Sequence, residues 1–130
     1  MRVLQPPELA PAKGYANGIA CEGTFVFVSG QIGWDAERRM VSGDFVAQVH
    51  QALRNIMAVL GEAGAAAAHI ARMTWYITDK REYLAKQREI GVAYRDVMGR
   101  HFPAMSVVEV SGLIEEGAKV EIEATAVIPR

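Results

Sequence analysis

The feature that most constrains the fold is an apolar stripe in the segment from Asp44 to Leu60. Its side chains recur at three- and four-residue spacings, which is typical of one face of an α-helix. The stripe consists of Phe45, Val49, Ala52, Leu53, Ile56 and Leu60. Gly61 and Gly64 follow it and mark the end of the helix. Such a helix must pack on another surface, and a chain of 130 residues has room for one core, so residues 1–130 are predicted to form a single domain.

Segments with the composition of β-strands supply that surface. Thr24–Ser29 holds β-forming and nearly all apolar residues, which predicts a strand buried on both faces. A second helix is predicted to begin at Asp79 and to end near Gly99. The predicted strands are Ile19–Cys21, Thr24–Ser29, Ile70–Ile77, Met105–Val110 and Val120–Ile128. The order β-β-α-β-α-β-β predicts an α+β fold, with a mixed sheet and two helices packed on one of its faces.

The second face of this sheet has a mixed composition. Alternation along the strands assigns Ile70, Tyr76 and Val127 to it, beside polar residues. These polar residues are Arg72, Thr74, Glu121, Glu123 and Thr125. Because helices cover only the other face, this composition predicts a subunit interface that contains pockets, and hence an oligomer.

Charge and composition exclude several classes of function. Fourteen Lys and Arg against fifteen Asp and Glu give a net charge of −1, which argues against sequence-independent binding of nucleic acid. The one cysteine, Cys21, can form neither an internal disulfide nor a cysteine metal cluster, and the three histidines are not at metal-ligand spacing. The apolar runs are shorter than a membrane span needs, and Met1–Gln5 lacks an apolar signal core. We expect a cytoplasmic protein that uses no membrane.

Three places carry residues that suit a binding site. Gly14-Tyr15 lies at the end of a proline-rich arm. The Tyr15 ring could pack the arm against the domain, or its phenol could project into a cleft. Ser29-Gly30 ends a strand in a turn where a ligand could approach the backbone, although such a turn often serves structure alone. Glu121 on the last strand suits orientation of a water molecule, or an ion pair with Arg72 together with Glu123.

These segments together resemble the Rid family, also called YjgF and often labelled endoribonuclease L-PSP. The resemblance covers nearly the whole chain, and its order and intervals are specific although each piece is weak alone. The matching residues are Gly14-Tyr15, Phe27-Val28-Ser29-Gly30-Gln31, Gly33, Gln48, Asn55, Leu60, Gly64, Thr74, Tyr76, Asp79, Tyr94, Phe102-Pro103-Ala104 and Val120-Glu121-Ile122-Glu123-Ala124.

The resemblance implies a chorismate-mutase-like fold that assembles as a homotrimer, with ligand clefts between subunits. It also implies hydrolysis of reactive enamines or imines to a keto acid and ammonia, without a metal or an organic cofactor. The implied catalytic residues are Glu121, which would position water, and Tyr15, which would frame the site with the backbone of Ser29 and Gly30.

The chain departs from the family pattern at two positions. Met105 stands where the family carries the arginine that grips the substrate carboxylate, and a thioether offers neither a charge nor a donor. Gly91 stands where many relatives carry Asn. The remaining anchors to consider are Arg100, Arg130 and Arg72 of a neighbouring subunit. Met105 and Val107 make the ligand site more apolar, which favours a less anionic ligand with a ring or a longer carbon skeleton.

Three functions remain under consideration. The first is hydrolysis of an enamine, an imine or a related amino intermediate with altered substrate specificity. The second is a homotrimer that binds a small molecule without catalysis, which the loss of the arginine favours. The endoribonuclease activity of the family label is the least favoured, because the chain lacks basic surface, aromatic–basic interleaving and a histidine pair.

Overall fold

A four-stranded mixed sheet forms the centre of the computed structural model, which describes all 130 residues. The strands are β1 Arg2–Leu4, β2 Gly18–Ala20, β3 Thr24–Gln31, β4 Ile70–Ile77, β5 Ala104–Glu109 and β6 Val120–Ile128. The helices are α1 Phe45–Glu62, α2 Lys80–Ala85 and α3 Gln87–Met98, and a short 3₁₀ turn spans Ala67–His69. The fold class predicted from the sequence is confirmed. None of the helices combines the length and the apolar character that crossing a bilayer requires.

The order of strands in the sheet is β3-β6-β4-β5. Strands β4 and β5 are parallel, and α2 and α3 supply the crossover that a parallel pair requires. The other pairs are antiparallel. Strand β1, which the sequence analysis missed, pairs with β2 in a separate two-stranded sheet. Its three residues are too few to show a period.

Helix α1 begins where the sequence predicts. The Asp44 carboxylate accepts a hydrogen bond from the backbone N–H of Ala47 at 2.9 Å and caps the helix. The whole predicted stripe is buried, and the helix packs on β3, β6 and α3. Burial of this stripe against the sheet supplies much of the hydrophobic stabilisation of the fold.

The same helix fixes the loop that follows β3. Gln48 is fully buried and donates hydrogen bonds to the carbonyls of Ser42 and Gly117, while Asn55 donates to the carbonyls of Ile32 and Trp34. The Cα of Gly33 lies so close to the helix that a Cβ there would approach the Gln48 backbone within 2.6 Å. Gln48 and Asn55 are therefore scaffold residues that hold the loop after β3.

The second predicted helix is divided. Asp79 caps its start by accepting from the N–H groups of Arg81 and Glu82, and Gly99 ends it with a positive φ of 67°. Lys86 leaves helical geometry with φ −112° and ψ 16°, which separates α2 from α3. The prediction of one continuous helix from Asp79 to Gly99 was wrong at this residue.

The face of the sheet that no helix covers differs from the prediction in composition. Phe25 and Phe27 are 55% and 74% exposed, so β3 is not buried on both faces in the single chain. Ile70 and Val127 are instead 0% and 3% exposed. A bulge between Ile70 and Arg72 shifts the register and pairs Ile70 with Ala126 of the core. We call this surface the open face; its exposed apolar groups are Phe25, Phe27 and Val108.

Candidate functional site

A cavity of about 590 Å³ lies between the proline-rich arm, the helices α2 and α3, and the edge of the sheet formed by β4 and β5. Four of the predicted site residues line it, namely Tyr15, Gly91, Met105 and Val107. The other lining residues are Lys13, Gly14, Trp75, Tyr83, Gln87, Ile90, Tyr94, Arg95 and Phe102. The volume suits a small organic molecule rather than a macromolecule.

Backbone pairing holds the arm beside the cavity. The Ala16 N–H donates to the carbonyl of Pro103 at 2.9 Å, and Ala16 forms an isolated parallel bridge with Ala104. Because β5 is an edge strand, its free side can accept this segment. The pairing positions Tyr15, which is 41% exposed, at the rim beside Met105.

Aromatic side chains form much of the cavity wall. The rings of Tyr94 and Phe102 are stacked, with centroids 5.7 Å apart and an interplanar angle of 12°, and Trp75 lies 6.5 Å from Tyr94. The Tyr94 hydroxyl donates to the carbonyl of His101, and burial raises the pKa of this tyrosine. Its hydroxyl therefore stays neutral and fixes the ring in place. The Trp75 Nε1 is the one buried side-chain nitrogen or oxygen without a hydrogen-bond partner.

The polar part of the cavity comes from Lys13, Gln87 and Arg95. Arg95 was not among the site residues predicted from the sequence. Of the arginines that the sequence analysis did consider, Arg100 and Arg130 do not line this cavity. Arg72 of the same chain lines an adjacent depression with Tyr15 and Met105.

The other three predicted site residues, Ser29, Gly30 and Glu121, form a second group. A bulge between Val28 and Gln31 distorts the end of β3, and the Glu121 carboxylate lies over Gly30, where any Cβ would collide with it. The Gln31 side chain donates to the carbonyl and to the hydroxyl of Ser29 at 3.2 and 3.3 Å. Gly30 therefore leaves space for the Glu121 side chain, which would have to move if residue 30 carried a Cβ.

The sheet separates the two groups of site residues. Met105 and Val107 pair with Met73 and Trp75, which lie under the helices. Glu121 pairs with Tyr76, which alternates with Trp75 along β4 and so points to the open face. One chain therefore carries an apolar cavity on the helix side and a carboxylate on the open face, and it does not bring them together.

Glu123 lies beside Glu121 on the open face and has a different partner. It accepts a hydrogen bond from the Tyr76 hydroxyl at 2.6 Å, and this bond raises the tyrosine pKa. No ion pair joins Arg72 to Glu121 or Glu123, so the predicted charge pair is not formed. Glu121 thus keeps an unpaired carboxylate.

The sheet order, the helices on one face and the paired arm define an α+β domain of the YjgF/Rid type. The model of the Endoribonuclease L-PSP family matches residues 6–128, and the chain belongs to this family. Protein DfrA of Myxococcus xanthus is 39% identical over 110 residues, which cover 81% of this chain and 77% of that protein. The 2-iminobutanoate/2-iminopropanoate deaminase of Salmonella typhimurium is 34% identical, covering 92% of this chain and 93% of the deaminase. The crystal structure of the Rid family protein YyfB from Yersinia pestis superimposes with a TM-score of 0.87 and 29% identity, covering 98% of both chains.

Proposed function

We propose that the chain is a deaminase that hydrolyses an enamine or imine in clefts between the subunits of a homotrimer. The observation that carries the proposal is the separation of Tyr15, Gly91, Met105 and Val107 from Ser29, Gly30 and Glu121 by the sheet. The two groups can share one substrate only if the cavity of one copy meets the open face of another. The deaminase named among the relatives supports the reaction class.

The reaction needs a positioned water molecule and little else. Glu121 is half-buried and unpaired, so its carboxylate can accept a hydrogen bond from water and orient it. The water oxygen forms a bond to the carbon of the C=N group, and the nitrogen takes up protons. The C–N bond then breaks, ammonia leaves with both hydrogens of the water, and a carbonyl compound remains. An enamine enters this sequence after tautomerising to its imine.

The remaining site residues hold the substrate in this scheme. The backbone of Ser29 and Gly30 and the Tyr15 hydroxyl supply hydrogen-bonding groups around the reacting carbon. Met105 and Val107 present apolar surface and carry no charge, so they contact the carbon skeleton. The altered lining predicts a substrate with a larger apolar part than that of a two- or three-carbon imine.

Glu121→Gln tests the catalytic role directly. We expect ammonia release to fall by about 10²-fold, in the usual range for a group that assists proton transfer, while the fold is retained. The substrates are imines generated in situ by an amino-acid oxidase from alanine, leucine and phenylalanine. Glu123→Gln is the matched control, because it changes a neighbouring carboxylate that already has Tyr76 as a partner. Equal losses in both variants would contradict the assignment of Glu121.

Binding without catalysis is the second candidate, and the absence of an arginine at residue 105 is the observation that favours it. A wild-type protein that binds carboxylates of this series but accelerates none of the imines would support this candidate over the deaminase. The endoribonuclease in the family description stays the least favoured function, since the chain has a net charge of −1.

A further inference from the structure

We propose that this chain has moved its anion anchor from strand β5 to helix α3, where Arg95, assisted by Lys13, binds the carboxylate of a substrate with an aromatic ring. The substrate class is an aryl-substituted 2-imino acid or its enamine. This inference rests on the proposed function for the reaction, but the binding site that it assigns stands on separate observations.

The first observation is the charge at the rim of the cavity, where the two cationic side chains are exposed. Lys13 and Arg95 line the cavity, and none of the thirteen lining residues is acidic. Neither cation forms an ion pair within the chain, whereas the next residue on α3, Asp96, is hydrogen-bonded to the His50 Nε2 at 2.7 Å. A chain with a net charge of −1 thus carries two unpaired positive charges at the rim of this cavity. Such a cavity attracts an anion, and a guanidinium can bind a carboxylate with two hydrogen bonds.

The second observation links both departures from the family pattern. Gly91 and Arg95 lie one turn apart on α3, and a Cβ at residue 91 would be 3.2 Å from the Arg95 Nη1. A side chain at residue 91 would share this space, and the guanidinium would give way by a few tenths of an ångström. The glycine at residue 91 therefore leaves the guanidinium free to lie over the cavity, beside the uncharged Met105.

The third observation sets the shape of the ligand. Five of the thirteen lining residues are aromatic, although the chain has only ten Phe, Trp and Tyr in all. The rings of Tyr94 and Phe102 stack on each other, and with the neighbouring Trp75 they give the cavity an apolar wall against which a ring can pack. Met105 and Val107 close the apolar side. An aryl-substituted ligand can pack its ring against this wall and direct its carboxylate toward Arg95.

Isothermal titration calorimetry with phenylpyruvate tests the anchor without any turnover. This compound is the keto acid that the imine of phenylalanine would yield. We expect wild type to bind phenylpyruvate at least tenfold more tightly than pyruvate. Arg95→Gln should weaken phenylpyruvate binding by about tenfold or more, which is the usual effect of losing a hydrogen bond to a charged group. Gly91→Ala should weaken it less than Arg95→Gln does, because the guanidinium need shift by only a few tenths of an ångström.

Arg88→Gln is the matched control, because it removes the same charge from the same helix but faces a different groove. It should leave phenylpyruvate binding unchanged, and the neutral analogue phenylacetamide should bind wild type and Arg95→Gln equally. Undiminished phenylpyruvate binding by Arg95→Gln would overturn the inference, as would loss of binding in Arg72→Gln alone or no binding by wild type. Ammonia release is measured separately: loss of binding in Arg95→Gln without turnover of any imine would keep the anchor and reject the deaminase.

Discussion

Met105 and Gly91 are the two residues that most limit what the cavity can bind. Both line it, and neither offers a charge or a side-chain hydrogen-bond donor. An anionic substrate that enters a partly dry cleft must have its carboxylate paired, because unpaired desolvation of a charge opposes binding. Met105 cannot supply that pairing, and small imines have no ring to contact the aromatic wall, so we expect them to bind more weakly than substrates that carry a ring.

Met105→Arg should therefore increase hydrolysis of 2-aminoacrylate-type imines. We expect wild type to act on them poorly or not at all, and the variant to gain roughly tenfold, in line with one added hydrogen bond to a charged group. Full activity is not expected, because Gly91 and the aromatic wall still shape the cavity for a larger molecule. Keto-acid release from alanine-derived imines measures the effect, with Met105→Leu as the apolar control. A wild-type rate equal to that of an arginine-containing relative would contradict the reasoning.

At the scale of elements, local patterns predicted more than long-range pairing did. The stripe of α1, its Asp44 cap and the bounds of β4 and β6 follow from short-range periodicity and match the structure. The break at Lys86 was not predictable, because apolar residues continue on both sides of it. The burial of Ile70 was not predictable either, since it depends on a bulge opposite β6.

In the candidate site, too, single residues were predictable from the sequence whereas their long-range arrangement was not. Tyr15, Gly91, Met105 and Val107 were predicted one by one, through resemblance, but their meeting in one cavity required the fold. Arg95 was missed because nothing in its local sequence distinguishes it from other surface arginines of a helix. Its neighbours are Gly91 one turn earlier and an arm about 80 residues away, and only the folded chain brings the arm there.

Asp44→Ala tests the local contribution of the α1 cap. The variant leaves the Ala47 N–H without its acceptor, so we expect the free energy of unfolding to fall by about 1 kcal/mol. Urea unfolding followed by circular dichroism at one fixed protein concentration measures this, since association would otherwise alter the apparent stability. Asp44→Asn should retain most of the stability. A loss as large as that of Asp44→Ala in the Asn variant would show that charge, rather than the capping bond, dominates.

At the scale of the whole molecule, the open face is the surface that the single chain leaves incomplete. Phe25 and Phe27 stand on it with ring centroids 6.0 Å apart, and the half-buried Glu121 lies on the same face. Exposed aromatic pairs of this kind are typical of protein interfaces. The proposed homotrimer would cover them and would bring a carboxylate to each cavity.

Light scattering at micromolar concentration should give about three times the chain mass of 14.2 kDa. Phe27→Lys should lower this mass and reduce ammonia release together, because dissociation would separate the two groups of site residues. Ile114→Lys is the control, since Ile114 is a fully exposed apolar residue in a loop away from the sheet. A wild-type monomer with full activity would contradict the assembly and the shared site at once.

The placement of the cavity and the Glu121 carboxylate on opposite faces has a genetic consequence in the proposed trimer. Each cleft is formed by the cavity of one chain and the carboxylate of the next. A mutation in one chain therefore damages sites that it shares with its neighbours. Two defective alleles, one with a damaged cavity and one without the carboxylate, would complement each other within a mixed trimer. A mixed trimer holds two copies of one variant and one copy of the other. In both cases, one of the three clefts joins an intact cavity to an intact carboxylate. Selection then acts on the cavity and the open face together, because a substitution in either surface changes the cleft that both form.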